Sequence, residues 1–434
     1  MMQRKITRRA PPMHRSDVSR PAAALATLAL SAACLLWAAT PAQAEPGRAP
    51  SPLSSLPSLS LSGDLSTSLP PPAAGPKQRK KRKAPRNKPD AASNESASQA
   101  ATESGYEAGG KADEGNGRRI APRVLILTMF EPEALPWMHH LGPWNATAIA
   151  GLPKEFPLLR CNRQQVCMAT TGMGHSNAAA STMALALSSK LDLRYTYILV
   201  AGIAGINPEQ GTLGTAAWAR FLVDFGLQWQ LDSREVPESW PSGYLGINTR
   251  SPSEKPALDY NTEVYQLNGA LLRKVLHMTL NIPLVDGPQA RKVRAQYSDA
   301  PANQPPRVMQ CDSLSSDTWI SGKHLGERAT TWMQMLTNGR GSYCTNQQED
   351  NATFEALMRG ARMGRIDISR VMVLRAGADF DRPPPGVTAL SNLLDYTEQG
   401  GFDIAVENLY RTASPVVQAI SGNWRAWRDG IPAN

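Results

Sequence analysis

Short apolar runs of strand length alternate with longer segments of helical composition through most of the chain after residue 120. The strand candidates are 123–128, 166–170, 195–200 and 370–374, and the helix candidates are 177–187, 267–278, 353–363 and 407–420. Such alternation predicts an α/β fold in which helices cover both sides of a mixed, largely parallel central sheet. Ligand sites in such folds lie beyond the carboxyl ends of the strands. No repeat of solenoid or propeller period is present.

The first 44 residues have the composition of a secretory signal peptide. Residues 1–20 carry six Lys or Arg against one Asp, residues 22–39 are almost wholly apolar, and the triplet Ala42-Gln43-Ala44 follows. We predict cleavage after Ala44 and a periplasmic or secreted protein. The alternative is an uncleaved membrane anchor. After Ala44 no run of about 20 apolar residues occurs, so no integral membrane span is expected in the mature chain.

Residues 45–118 are rich in Pro, Ser, Ala and Gly, with scarcely an aromatic, and predict a disordered linker. The basic run 77–83 inside it is interpreted as a solvated linker segment, with an anionic-surface patch as the alternative. Of the net charge of +9, residues 1–44 hold six basic and one acidic residue, and residues 45–118 hold eleven and eight. The remainder is near neutral, with 29 and 28, and gives no support for a nucleic-acid partner.

Four cysteines follow the predicted signal: Cys161, Cys167, Cys311 and Cys344. An even number in an exported protein favours disulfide bonds. Cys161 and Cys167 flank a short polar link that suits two antiparallel strands, and we expect them to pair, with Cys311 and Cys344 as a second pair. No CxxC is present and the histidines are scattered, so no metal site is predicted.

Three stretches resemble ligand-contacting strand ends. They are 170–178, 200–208, and 348–352 followed by 374–379. In the first two, a β-rich run stops at small residues, which predicts glycine turns whose backbone N–H groups approach a ligand closely. In the third, two acids, Glu349 and Asp350, stand in apolar surroundings. Together they predict a small-molecule site.

The motifs 129–133, 171–174, 201–208, 348–352 and 375–383, taken in order, resemble those of the purine nucleoside permeases. That family in turn resembles the nucleoside phosphorylases and nucleosidases. The resemblance runs from about residue 121 to 425 and implies one large three-layer α/β domain of nucleoside phosphorylase type over 119–434. It also implies a purine nucleoside as ligand, no cofactor, and phosphate only as the co-substrate of a phosphorylase. It does not decide whether the protein forms a homo-oligomer.

The resemblance also assigns roles. Glu133 would position a hydrolytic water, and Glu131 is the neighbouring candidate for the same role. The structural alternative is that the acid caps the following helix. Glu349 would bind the ribose hydroxyls, because a carboxylate accepts hydrogen bonds from two adjacent hydroxyls. Helix capping by Asp350 or Asn351 is the alternative explanation of the acidic residues here. Asp379 would protonate or hydrogen-bond the purine N7, the alternative being an ion pair with Arg375 or Arg382.

Further substrate-binding positions follow from the same motifs. Trp319 would stack on the base, although core packing is an alternative for a tryptophan. The other positions are Thr171, Gly172, Gly202, Gly205, Asn207 and Asn351.

The 172–175 turn has no obvious arginine that could bind a phosphate, and a neutral His175 is a poor phosphate ligand. The expectation is therefore an exported nucleosidase-like hydrolase of purine nucleosides. The alternatives are a phosphate-dependent nucleoside phosphorylase and a non-catalytic nucleoside-binding component of uptake.

Overall fold

A computed structural model describes residues 119–433. The predicted signal peptide, the linker and its basic run lie outside the described residues. The strands are β1 Val124–Thr128, β2 Asn145–Ala148, β3 Leu158–Cys161, β4 Val166–Thr170, β5 Tyr197–Ile206, β6 Ala216–Trp218, β7 Phe221–Asp224, β8 Gln228–Gln230, β9 Tyr244–Gly246, β10 Val264–Gln266, β11 Val308–Gln310, β12 Asp312–Ser315, β13 Tyr343–Gln347 and β14 Val371–Phe380. The helices are α1 Glu131–Leu141, α2 His175–Leu187, α3 Gly269–Thr279, α4 Pro288–Arg294, α5 Lys323–Leu336, α6 Asp350–Arg362, α7 Ala389–Leu394, α8 Phe402–Gly422 and α9 Trp424–Trp427. Two short 3-10 helices span Ile368–Arg370 and Tyr396–Gln399.

Successive residues of the central strands point into two separate hydrophobic cores. In β1, Val124 and Ile126 join the core that contains α1, α3 and α8, whereas Leu125 and Leu127 join the core that contains α2 and α6. This two-residue period is what places helices on both faces of a sheet. The predicted three-layer α/β architecture is confirmed.

The large sheet is mixed. Six of its eleven strand pairings are parallel, and five are antiparallel. Strand β14 runs parallel to β5 along its whole length. On the opposite edge of β5, β1 pairs with residues 197–200 and β13 pairs with Gly205 and Ile206. Among the described strands, none lies beside the edge of β5 between these partners, and the backbone there can bind side chains.

The predicted elements were found, with extended ends. The strand predicted at 195–200 continues to Ile206, and the strand predicted at 370–374 continues to Phe380. The glycine turn expected at 202–205 is therefore wrong: these residues are strand and have no positive φ. The glycines serve a packing need instead, since a Cβ at Gly205 would lie 2.8 Å from Oδ1 of Asn346.

The turn at 172–175 does form. Gly172 and Gly174 have φ angles of +81° and +88°, in the region that favours glycine. Helix α2 begins directly after it, at His175.

Cys161 and Cys167 form a disulfide bond that links the antiparallel strands β3 and β4, as predicted. Cys311 and Cys344 are free thiols, so the second predicted bond is not present. Both are buried in a small cluster with Ala217, Cys344 in β13 and Cys311 between β11 and β12. The even number of cysteines therefore predicted one bond too many, although the two thiols do lie in the same cluster.

Helix α8 is the longest described helix, with 21 residues, and contains Pro415 as expected. Across residues 119–433, no helix combines the length and the apolar content needed to cross a membrane.

Candidate functional site

A cavity of about 250 Å³ opens where β1, β13 and β14 end. Its lining is mostly apolar and aromatic, with a few polar groups, as is usual for small-molecule sites. The apolar lining residues are Met129, Phe130, Met173, Ile203, Trp319, Ala378, Tyr396 and Phe402, and the polar ones are Glu133, Gln347, Gln348, Glu349, Arg375, Asp379 and Thr397.

Glu133 lies in the first turn of α1 and is 1% exposed. The Met129 N–H donates to its Oε2 and the Ile203 N–H donates to its Oε1, both at 2.7 Å. The second donor belongs to the unpaired edge of β5. Burial raises the pKa of Glu133 to about 7, although Arg375 and the two N–H donors act in the opposite direction. Glu131, the alternative, is exposed and does not line the cavity.

Arg375, in β14, is 1% exposed and is held on all sides. Its Nη1 donates to the Ile203 carbonyl at 3.1 Å. Its Nη2 donates to Glu349 at 3.1 Å and to Asp350 at 2.5 Å, and its Nε donates to Asp350 at 3.1 Å. The nearby carboxylates raise the pKa of Arg375 above its usual value despite burial. The guanidinium therefore remains charged and fixes the position of Glu349.

Gly202 makes room for this arrangement. It pairs with Arg375 across β5 and β14. A Cβ at Gly202 would overlap the Arg375 guanidinium and lie 2.9 Å from Oε1 of Glu133. Gly202 therefore allows Arg375 and Glu133 to pack closely against β5, although it does not itself line the cavity.

Glu349 is the residue immediately before α6 and is 4% exposed. Besides the Arg375 contact, its Oε1 accepts from the Gly174 N–H at 3.1 Å. It makes no side-chain cap to α6. The side chain of Asp350 binds Arg375, and that of Asn351 binds Ser315 and the Thr262 carbonyl. Neither caps α6, so the capping alternative is wrong.

Asp379 is 4% exposed near the end of β14. No hydrogen bond or ion pair to its carboxyl was found within residues 119–433. Arg375 binds Glu349 and Asp350, and Arg382 binds Asp381 and Glu209. The alternative of an ion pair at Asp379 is therefore wrong. Burial, with a contribution from the Asp381 charge, raises the pKa of Asp379 to about 8. A carboxyl group with this pKa is largely protonated at neutral pH, and Asp379 lines the cavity.

Aromatic side chains form the rim. Trp319 is 38% exposed and its ring centroid lies 6.2 Å from that of Tyr396. Phe130 and Phe402 make an edge contact at 6.0 Å. Trp319 is therefore a cavity residue and not a core residue.

The turn before α2 is closed by carboxylates. The Gly174 N–H donates to Glu349, and the His175 N–H donates to Oδ1 of Asp317 at 2.7 Å. The His175 ring lies 3.9 Å from the same Asp317 side chain. The backbone N–H donors of Gly174 and His175 are thus already occupied by protein carboxylates.

Several predicted substrate-binding residues are not among the residues that line the cavity. Thr171 donates its hydroxyl to backbone carbonyls of Thr128 and Gly172. The Asn207 amide binds the Tyr343 carbonyl and the Glu209 N–H. Asn351 binds Ser315 and the Thr262 carbonyl. Each of these side chains is therefore bonded within the protein, and Gly172, Gly202 and Gly205 do not line the cavity either.

The role of Arg375 could not be predicted from its motif. In the sequence it is only a candidate partner of Asp379, whereas the structure shows it between Glu349 and Asp350. The clue was an arginine inside an apolar strand, because such a buried charge requires carboxylate partners. Phe130, Phe402, Tyr396 and Gln347 gave no comparable signal. Within the described chain, no three His, Cys, Asp or Glu side chains are grouped as metal ligands.

Two solved structures are similar to the chain at low identity. A 5′-methylthioadenosine/S-adenosylhomocysteine nucleosidase from Neisseria meningitidis is 13% identical with a TM-score of 0.40, covering 69% of this chain and 99% of that one. Futalosine hydrolase of Helicobacter pylori is also 13% identical with a TM-score of 0.40, covering 67% and 97%.

Curated relatives are closer in sequence. A probable purine nucleoside permease of Schizosaccharomyces pombe is 38% identical over 318 residues, which are 70% of this chain and 91% of the relative. A purine nucleoside permease of Candida albicans is 35% identical over 308 residues, 70% of this chain and 76% of the relative. Residues 121–432 match the sequence profile of the family described as purine nucleoside permease. The chain belongs to the purine nucleoside permease family.

Proposed function

We propose that this protein hydrolyses the N-glycosidic bond of a purine nucleoside. The observation that carries the proposal is that two buried carboxyl groups, those of Glu133 and Asp379, line the same cavity of about 250 Å³. Burial raises the pKa of both carboxyl groups, to about 7 and about 8. Groups with such pKa values are suited to base and acid roles near neutral pH. The names of the curated relatives support a purine nucleoside as the ligand.

In the proposed reaction, Glu133 in its charged form accepts a proton from a water molecule as the water oxygen bonds to C1′ of the sugar. The bond between C1′ and the base nitrogen breaks, and its electron pair moves onto the base. Asp379 gives its proton to N7, so the base leaves neutral. Because the sugar becomes positively charged in the transition state, the carboxylates of Glu133 and Glu349 also stabilise it electrostatically.

Binding is assigned to the residues around these two acids. Glu349 would accept hydrogen bonds from the ribose hydroxyls, since Arg375 and the Gly174 N–H hold its carboxylate in place. Trp319 would stack on the base from the rim.

Water is favoured over phosphate as the molecule that attacks C1′ of the sugar. The N–H groups of Gly174 and His175 are bound to protein carboxylates. Arg375, the arginine of the cavity wall, uses Nε, Nη1 and Nη2 on protein acceptors. A phosphate dianion would have to displace acids from these donors, so a phosphorylase is the second candidate.

A third candidate is a nucleoside-binding component of uptake, which the word permease in the names of the relatives favours. A binding protein needs contacts to the ribose and to the purine, but it has no use for a buried carboxylate that accepts a proton from water beside the sugar. Glu133 is therefore the residue that separates catalysis from binding.

The test is to incubate the purified protein with inosine and with adenosine, with and without phosphate, and to measure the free base by chromatography. If the reaction is hydrolysis, the free purine and free ribose are released at the same rate with and without phosphate. Release that requires phosphate would identify a phosphorylase. Tight binding without release of base would contradict both enzymatic functions.

A further inference from the structure

The carboxyl group of Asp379 is held in place only by the backbone that carries it. Asp379 is 4% exposed and lines the cavity. Within residues 119–433, no hydrogen bond or ion pair reaches its carboxyl. The position of this group beside the cavity therefore depends on how β14 is fixed at this residue.

Strand β14 is irregular at this point. Gly377 pairs with Ala204 of β5, and Asp379 pairs with the next residue of β5, Gly205, so Ala378 is an extra residue, as in a β-bulge. Consecutive residues of a regular strand point to opposite faces of the sheet. Ala378 and Asp379 nevertheless both line the cavity. The extra residue therefore accounts for the place of Asp379 in the cavity wall.

Beyond the bulge, β14 has a strand on one edge only. On its other edge β6 pairs with residues 374–376, and none of the described strands continues beside Phe380. Two side-chain amides bind the backbone of Phe380 instead. Its N–H donates to Oε1 of Gln399 at 2.7 Å, and its carbonyl accepts from Nδ2 of Asn392 at 2.9 Å. The residue that follows Asp379 is thus held by both of its backbone polar groups.

The two amides also fix each other. Nε2 of Gln399 donates to Oδ1 of Asn392 at 3.2 Å, and Nδ2 of Asn392 donates to the Ser321 hydroxyl at 2.9 Å. Turning either amide over would place donor against donor and acceptor against acceptor. Gln399 is 8% exposed and Asn392 is 7% exposed. The pair is therefore a buried unit with one orientation.

The same segment forms part of the cavity rim. Asn392 lies in α7, and Gln399 ends the 3-10 helix Tyr396–Gln399. Between them, Tyr396 and Thr397 line the cavity, and Tyr396 is in ring contact with Trp319. The amide pair thus joins the rim to β14 beside Asp379.

We propose that Asn392 and Gln399 are positioning residues that hold the backbone of Phe380 and thereby place the carboxyl of Asp379 for proton transfer to the leaving base. The inference rests on the proposed function, since it takes Asp379 to be the proton donor. A displacement of a reacting group by about 1 Å lowers a rate by up to about 10²-fold. The contacts of the nucleoside with Glu349 and Trp319 do not depend on this displacement, so binding is expected to change little.

The test measures kcat for purine release by Gln399→Met, both in the wild-type background and in the Asp379→Asn background. Methionine has a similar length but accepts no hydrogen bond from the Phe380 N–H. We expect kcat to fall by about tenfold or more in the wild-type background. In the Asp379→Asn background the further loss should be less than about threefold, because the proton donor is already absent.

Asn162→Ala is the matched control. The Asn162 amide also binds backbone groups: it donates to the Leu141 carbonyl and accepts from the N–H groups of Gln164 and Val166, each at 3.0 Å. It lies between β3 and β4 and does not line the cavity. This variant should keep kcat within about twofold in both backgrounds.

Asn392→Ala replaces Gln399→Met should that variant fail to fold. Asn392 borders a second cavity of about 240 Å³, from which water can bind the Phe380 carbonyl in place of the lost amide. A smaller loss of about threefold or more is then expected in the wild-type background, with less than about twofold in the Asp379→Asn background.

An equal loss of kcat in both backgrounds would show that the amides support the fold alone, and it would overturn this inference while the wild-type protein still releases purine. An unchanged kcat in the wild-type background would overturn it as well. If the wild-type protein releases no purine from any nucleoside, the proposed function fails, and this inference fails with it.

Discussion

Asp379 shows what the surroundings of a residue add to its identity. The sequence motif suggested an acid near the base, but only burial and the absence of an ion pair within the described chain explain why its pKa is raised to about 8. A protonated acid can donate to N7, whereas an asparagine can form a hydrogen bond but cannot transfer a proton. Asp379→Asn is expected to lower kcat about 10²-fold or more and to change nucleoside affinity little. Steady-state kinetics with a separate binding titration check this, and equal losses in both would contradict the acid role.

The two raised pKa values also predict the pH dependence. Glu133 must be charged to accept a proton, so activity should rise with pH through about 7. Asp379 must be protonated, so activity should fall as pH rises through about 8. The kcat/KM profile is therefore expected to be bell-shaped with a narrow maximum between these values. Asp379→Asn should lose the alkaline limb and keep the acidic limb, and a wild-type profile that is flat from about pH 6 to about pH 9 would refute the assignment.

At the scale of elements, the strands and helices were predictable and their ends were not. Apolar runs located β1, β4, β5 and β14, but the glycines in β5 suggested that this strand stopped early, and the apolar run that predicts β14 ends at Leu374. The pairing of β14 with β5 over residues 371–380 overrides that local signal. The gap between β1 and β13 along β5 depends on register between distant segments, and no single stretch of sequence encodes it.

The packing role of Gly202 gives a prediction at this scale. Gly202→Ala would push a methyl group into Arg375 and Glu133, which are rigidly held. We expect the free energy of unfolding to fall by about 1–3 kcal/mol, together with a large loss of activity. Gly422→Ala is the control, because a Cβ at this position, at the end of α8, would have nothing within 4 Å. Chemical denaturation compares the two, and equal stability of both variants would show that the strand tolerates a side chain at Gly202.

At the scale of the whole molecule, the α/β class followed from the alternation of elements, and the pairing of Cys161 with Cys167 followed from their spacing. Alkylation of the denatured, unreduced protein followed by peptide mass analysis should label Cys311 and Cys344 and leave Cys161 and Cys167 unlabelled. Label on Cys161 or Cys167 would mean that the β3–β4 bond is not formed.

The cavity as a whole could be predicted only in part. Glu133, Glu349, Asp379 and Trp319 were expected and do converge on it. Glu133, Glu349 and Trp319 each follow a strand, and Asp379 lies near the end of β14. The arginine that holds Glu349 became visible only through contacts between residues far apart in the chain.

The account depends most on Glu133 as the group that activates water. The direct measurement is the rate of purine release by Glu133→Gln in phosphate-free buffer, under conditions in which the variant is saturated with nucleoside. The amide keeps the size of the side chain but cannot accept the proton, so we predict nucleoside binding close to that of the wild type and a release rate lower by about 10²-fold or more. Release at the wild-type rate would contradict the account.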